Sequence, residues 1–306
     1  MTVLPDFLMV GAAKSGTTSL FHILQQDSSV FIPTMKECRF FSQMPRSFKG
    51  GEAARFQNEG PRYLNKYLEL FDGKENYIKG DLSNDYFYYH EKSIQNIKMV
   101  YKNIGQDEPK IVIVLRNPVD RVFSMYNHII RLGSDTKGFL DAFFSSEERI
   151  KSGYAWMFDL KGVGKSTIPV QSYISAFDDV KVFLFEDIFY SNGITELGDY
   201  LGLKSSSQLS VKVKENENSY NKSRSVFLNM QLIKFARLKS RLPFMHKQSY
   251  ILKLAKFTHK KLLLLNRENS PIKLKDNEKK ELLRYYRKDI DKLELLINRD
   301  LTIWKK

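Results

Sequence analysis

The stretch PDFLMVGAAKSGTTSLFHILQ at 5–25 decides how this chain folds. FLMV at 7–10 is a short apolar run and reads as a buried strand; residues 11–17 read as a tight turn, and 18–26 as a helix. In that turn Gly11, Ala12, Ala13 and Gly16 are small enough to let backbone N–H groups approach a ligand, and Lys14 adds a full charge. The helix that follows presents unpaired N–H donors at the positive end of its dipole. Strand, small-residue loop and helix together predict an oxyanion cradle formed by Lys14, Ser15, Gly16, Thr17 and Thr18. It is not a nucleoside-triphosphate loop of the G-x-x-x-x-G-K-[ST] type, because Lys14 precedes Gly16 instead of following it.

Further along the chain, KIVIVL at 110–115 is a near-continuous β-branched run, as expected of a parallel strand covered on both faces. It ends at Arg116-Asn117-Pro118, and a helix beginning near Val119 follows, since proline suits a first helical turn. VKVFLF at 180–185 is a third strand, followed by Glu186 and Asp187 at a helix start. LLRYYRKDIDKLELLINRDL at 282–301 places its apolar residues at helical intervals. Strands alternating with helices give an α/β fold, a P-loop-like parallel sheet flanked by helices with a basic helical C-terminal extension at 222–306. With no internal repeat or low-complexity linker, the 306 residues are expected to form a single domain.

Composition narrows the class. A 42% hydrophobic and 27% charged chain is neither disordered nor a membrane-spanning bundle. One cysteine, Cys38, excludes an intramolecular disulfide, and five scattered histidines give no zinc signature, so no metal is expected. The first 25 residues lack the pattern of a secretory signal, which places the protein in the cytoplasm. The net charge is +14, from 49 basic and 35 acidic side chains. Residues 222–306 hold 23 of those bases and 8 of the acids, which leaves the rest of the chain close to neutral. Residues 226–266 contain no acid at all. That stretch reads first as a solvated helical face, second as a basic wall over an acidic substrate, and third as a peripheral contact with anionic membrane. Nucleic acid is not expected, because no nucleic-acid-binding motif accompanies the bases.

KSGTTSL at 14–20 resembles the 5′-phosphosulfate loop of sulfotransferases that use 3′-phosphoadenosine 5′-phosphosulfate. RNPVDRVFSMY at 116–126 resembles their 3′-phosphate motif, an arginine at a strand end and a serine on the next helix. KECRFF at 36–41 is similar to the K-E-P-H-F-F segment of heparan-sulfate-type and related bacterial members, with Cys38 for proline and Arg39 for histidine. KGDLSNDYF at 79–87 resembles G-E-x-S-P-x-Y, with Asp81 for glutamate and Asn84 for proline. Lys222, Ser223 and Arg224 fall where the family closes a basic loop over the nucleotide, and YYRKDIDKLELLINRDLTIW at 285–304 looks like the tail of bacterial members. The resemblance is weakest over 133–164 and after Val226.

The resemblance implies transfer of a sulfuryl group to a hydroxyl or amine, on a carbohydrate or glycoconjugate, leaving 3′-phosphoadenosine 5′-phosphate. By residue type, Lys14 and the loop amides suit the leaving phosphate, and Arg116 and Ser124 the 3′-phosphate, with Lys222, Ser223 and Arg224 enclosing it. The resemblance places the proton acceptor at Glu37, whose pKa Phe40 and Phe41 would raise by walling it in. Set beside that is an ordinary surface ion pair of Glu37 with Lys36 and Arg39. His128, one turn after Ser124, is the competing base. Lys36, Arg39, Lys79 and Asp81 are acceptor-side candidates, with support of the sheet as the other reading of Lys79 and Asp81, and Asp120 and Arg121 read as a local ion pair. Two other functions stay open: a nucleotide kinase or other P-loop phosphotransferase, which would need Mg²⁺, and a basic protein that binds anionic surfaces.

Overall fold

The computed structural model describes residues 4–43, 48–55, 60–209, 221–223, 267–271 and 273–306, together with single positions at 228, 231 and 262. Five strands, β1 (Phe7–Gly11), β2 (Val30–Phe31), β3 (Ile78–Asp81), β4 (Lys110–Leu115) and β5 (Val180–Leu184), form one sheet in the order β2-β3-β1-β4-β5. Every pairing in it is parallel. The three strands read from apolar runs are where the sequence places them, to within one residue at their ends. The two that were not read are the two-residue β2 and β3, whose sequence IKGD carries two charges.

Side chains alternate across the sheet and both faces are covered, as parallel strands require. Leu8, Val10, Ile111, Ile113 and Leu115 pack into one core, and Phe7, Met9, Val112, Val114 and Phe183 into the other. On the second face lie α1 (Thr17–Leu24), through Leu20 and Leu24, and a helix at Gly193–Leu201, through Ile194 and Leu197. The first face is covered by α2 (His90–Ile104), α3 (Pro118–Arg131), α4 (Thr167–Ala176) and α5 (Asp276–Ile297).

Two details of this packing fix the site. Asn117 caps α3 by accepting a hydrogen bond from the Val119 amide at 2.9 Å, so the helix starts two residues after Arg116. The chain end is also anchored. Tyr286, Ile290, Leu293 and Trp304 are buried, Asp289 accepts from the amides of Ser166 and Thr167, and Trp304 Nε1 donates to Glu186 at 3.1 Å. Asp187 accepts from the Leu184 amide, the helix-start role expected of it. Apart from the sheet, β6 (Asn221–Ser223) pairs antiparallel with β7 (Arg267–Pro271), and β6 lies against α3.

Candidate functional site

In an open parallel sheet, ligands bind beyond the carboxyl ends of the central strands. Here those ends belong to β1 and β4, which pair from Phe7↔Lys110 to Gly11↔Ile113. The loop leaving β1 is tied back to β4 by the Ala12 amide, which donates to the Val114 carbonyl at 2.8 Å. Lys14 sits at φ 66° and Gly16 at φ 84°, the left-handed region that makes the chain turn sharply into α1. A Cβ at Gly16 would lie 2.4 Å from the Phe189 ring, so glycine is needed there for space as well. Ser15 is fully buried, and its hydroxyl has no hydrogen-bond partner among the described residues. A buried orphan hydroxyl in a loop of amides suits an oxyanion.

Lys14 has no ion-pair partner within contact distance among the described residues. Burial, together with the charges of Arg131, Lys36 and Arg116, lowers its pKa to about 8, against a smaller upward pull from Glu37. A half-buried cation among other cations marks a place where negative charge belongs. Lys36 joins this group physically: its ammonium lies 3.0 Å from Thr18 Oγ1 and 3.4 Å from Glu37 Oε1. That one side chain connects the loop after β1 to the segment carrying Glu37.

The Glu37 carboxylate is held from three sides. Asn84 Nδ2 donates to Oε1 at 2.8 Å, Arg39 donates to Oε2, and Lys36 approaches Oε1. Burial alone would raise its pKa, but the nearby charges of Arg39 and Lys36 outweigh it and hold the carboxyl below its usual range. This corrects the expectation of a raised value. Phe40 stacks on Tyr67 at 4.4 Å and Phe41 packs edge-on to Tyr86, so both rings lie in the core with other aromatic partners.

Arg116 directly follows β4, with its guanidinium 4.7 Å from the centre of the Phe185 ring and 3.5 Å from Asp120. On α3, Ser124, His128 and Arg131 recur at helical spacing, so they share one face. Arg131 lies 3.2 Å from His128 Nδ1. Since guanidinium can only donate, Nδ1 accepts and the ring proton is on Nε2. Burial and the charges of Lys14 and Arg131 push the His128 pKa down to about 3. It is therefore neutral, and it can donate through Nε2.

Arg131 itself was missed by the sequence reading. Its signal was available: it falls one turn after His128 on the face already assigned. Lys222 and Ser223 lie in β6, whose backbone runs beside α3, whereas Arg224 and nearly all of 226–266 lie outside the described residues.

Four other expectations need correction. Lys79 is buried at 1% exposure, with its ammonium 3.0 Å from Asp6 and near the Tyr77 carbonyl. Asp81 is fully buried and accepts from Tyr67, Tyr86 and Ser83 at 2.8, 2.8 and 2.5 Å. Neither faces an acceptor; both support β3. Arg121 does not pair with Asp120, which turns instead to Arg116. It points inward, donating to Ser166 Oγ at 2.7 Å and to the Val163 carbonyl. Arg39 serves the site through Glu37, to which it donates, rather than as an independent acceptor contact.

The sequence matches the sulfotransferase domain family over residues 4–262. The chain belongs to that family. Among solved structures, a sulfotransferase from Alicyclobacillus acidocaldarius shares the architecture, with a TM-score of 0.70 and 27% identity over 99% of both chains. Two curated relatives match more locally. The membrane-associated sulfotransferase kil1 of Dictyostelium discoideum is 24% identical over 128 residues, 42% of this chain. The human bifunctional heparan sulfate N-deacetylase/N-sulfotransferase 3 is 28% identical over 133 residues, 41% of this chain. This chain covers only 24% and 13% of the lengths of those two proteins. The family match supports the sulfotransferase resemblance of the loop and strand-end motifs, and the structural match its α/β architecture. No helix among the described residues is long and apolar enough to cross a membrane.

Proposed function

We propose that this sulfotransferase moves a sulfuryl group from 3′-phosphoadenosine 5′-phosphosulfate to a hydroxyl or amine of a carbohydrate or glycoconjugate. The observation that carries this reading is Lys36, whose ammonium bridges Thr18 of the loop and Glu37. It brings an anion cradle and a carboxylate to one point, and in-line transfer needs just those two functions together.

The chain's residues divide the work. Lys14, the amides of 15–18 and the Ser15 hydroxyl hold the 5′-phosphosulfate and take up the charge that grows on the phosphate as the S–O bond breaks. Arg116 and Ser124 hold the 3′-phosphate, with β6 alongside α3. Glu37 accepts the proton of the attacking group. Its lowered pKa keeps it ionised at neutral pH, so the three donors around it matter for aim as well as charge. Lys36 and the Nε2 proton of His128 are the donors available to the sulfuryl oxygens in transit. The shared cation cluster replaces the divalent ion that a phosphotransferase would use, and family membership favours sulfuryl over phosphoryl transfer. An assembled Lys14–Lys36–Glu37 group also argues against a protein that only binds anionic surfaces.

Calorimetric titration with 3′-phosphoadenosine 5′-phosphate tests the donor. Saturable one-to-one binding, tighter than that of ADP, is expected; no binding, or equal affinity for the two, would contradict it.

A further inference from the structure

A cleft of about 570 Å³ opens at the end of α3, between the turn at 133–137, the segment 148–154 and Lys49. Its wall begins at Gly133, two residues past Arg131, whose charge acts on Lys14. The turn is fixed to the helix by the Gly133 and Ser134 amides, which donate to Ile130 and Ile129. Its size is in the range of about 300–1,000 Å³ usual for small-ligand sites. All of its lining except Lys49 falls inside 133–164, where the family resemblance is weakest.

The lining identifies what fits. Ser134, Thr136 and Ser152 supply hydroxyls, and Tyr154 is the one aromatic group, packed edge-on to Phe158 at 5.2 Å. No aliphatic side chain faces the space. An apolar phenol or sterol would strand these polar groups without partners, which costs more than the contact returns. In the floor, Asp135 and Arg149 form a nearly buried ion pair at 2.6 Å, and the Thr136 and Lys137 amides donate to the other Asp135 oxygen. That pair cancels itself. Lys49 and Lys137 remain against Glu148, and neither lysine has an ion-pair partner among the described residues. The cleft therefore carries one surplus positive charge.

We propose that this cleft is the acceptor subsite and that it takes an acidic saccharide, its hydroxyls met by the serines, threonine and tyrosine and its carboxylate or sulfate by Lys49 and Lys137. This rests on the donor reading above for which sugar group is modified, but not for binding itself. The test is hydrogen exchange on the full chain, with and without 3′-phosphoadenosine 5′-phosphate, using a heparin-derived tetrasaccharide, neutral maltotetraose and 1-naphthol as probes. The expected result is protection of 133–137 and 148–154 by the acidic tetrasaccharide, binding at least tenfold tighter than maltotetraose, and no protection of these segments by 1-naphthol. The double variant Lys49→Ala/Lys137→Ala is expected to weaken the acidic tetrasaccharide at least tenfold while nucleotide affinity stays within twofold. Protection confined to 226–266, equal binding of maltotetraose, cleft protection by 1-naphthol, or a double variant that binds like wild type would overturn it. Wild-type protein that fails to bind the nucleotide but shows cleft protection by the acidic probe would overturn the donor reading and still support the cleft.

Discussion

Lys14 and Lys79 lie close to neighbouring strands, and each is largely withdrawn from water, yet their surroundings are opposite. Lys79 is closed off at 1% exposure with Asp6 against its ammonium. Lys14 is ringed by Arg131, Lys36 and Arg116, and burial among them lowers its pKa to about 8. A charge taken out of water is tolerated when a partner of opposite sign comes with it, and strained when it does not. The acids divide the other way, with cations against Glu37 and only hydroxyls against Asp81. Burial raises Asp81, and pushes Asp85 up to about 6, whereas Arg39 and Lys36 hold Glu37 low despite burial. The folded chain pairs Lys79 with Asp6 at β3 and leaves Lys14 in the β1–β4 crevice with no ion-pair partner among the described residues.

That contrast can be broken by substitution. The largest effect is expected at Glu37: Glu37→Gln lowers turnover by roughly 10²–10⁴-fold, the usual contribution of a positioned base, with nucleotide affinity within twofold. Normal turnover in single-turnover assays with labelled donor would remove Glu37 from the chemistry. Next, Lys14→Ala and Arg116→Ala should each weaken nucleotide binding by about 1.5–3 kcal/mol, the range for a charged hydrogen-bond donor. Lys79→Met is the control on the structural side. It should lower the melting temperature by leaving Asp6 without its cation, and leave nucleotide affinity unchanged; a matching loss of affinity would mean the two lysines are not distinct in kind.

Two smaller effects follow from the pKa shifts. With a pKa of about 8, Lys14 is partly deprotonated between pH 8 and 9, and a bound phosphate would restore its charge. Nucleotide binding there should take up protons and weaken as pH rises, which calorimetry in buffers of different ionisation enthalpy can count; proton release would contradict the account. Arg39 holds the Glu37 carboxyl low, so Arg39→Gln should move the acidic limb of the pH–rate profile to higher pH, since the base must be ionised to act. An unmoved limb would separate that limb from Glu37.

The difference between the two lysines also explains what could be read from sequence. KIVIVL, VKVFLF and FLMV announce strands because their burial is apolar, and the small-residue turn with Lys14 announces an anion loop because its chemistry is local. β3 was hidden: in IKGD the lysine and aspartate look solvated, and only Asp6, Tyr67 and Tyr86, contributed from elsewhere in the chain, make them interior. Gly80 has no side chain because the Phe7 ring occupies that space, 2.2 Å from where its Cβ would sit. The lowered pKa of Glu37 comes from the charges of Arg39 and Lys36, its neighbours in sequence, which outweigh burial once Arg39 is folded against Ser83. Arg131 could have been found, because helical spacing alone places it with Ser124 and His128.

The most direct test of the central claim, that the β1–β4 crevice is built for a nucleotide with a 3′-phosphate, is paired calorimetry of wild type and Arg116→Ala with 3′-phosphoadenosine 5′-phosphate and ADP. The account predicts that wild type prefers the 3′-phosphorylated nucleotide and that Arg116→Ala erases most of that preference. An equal response to both nucleotides, or a preference that survives the substitution, would contradict it.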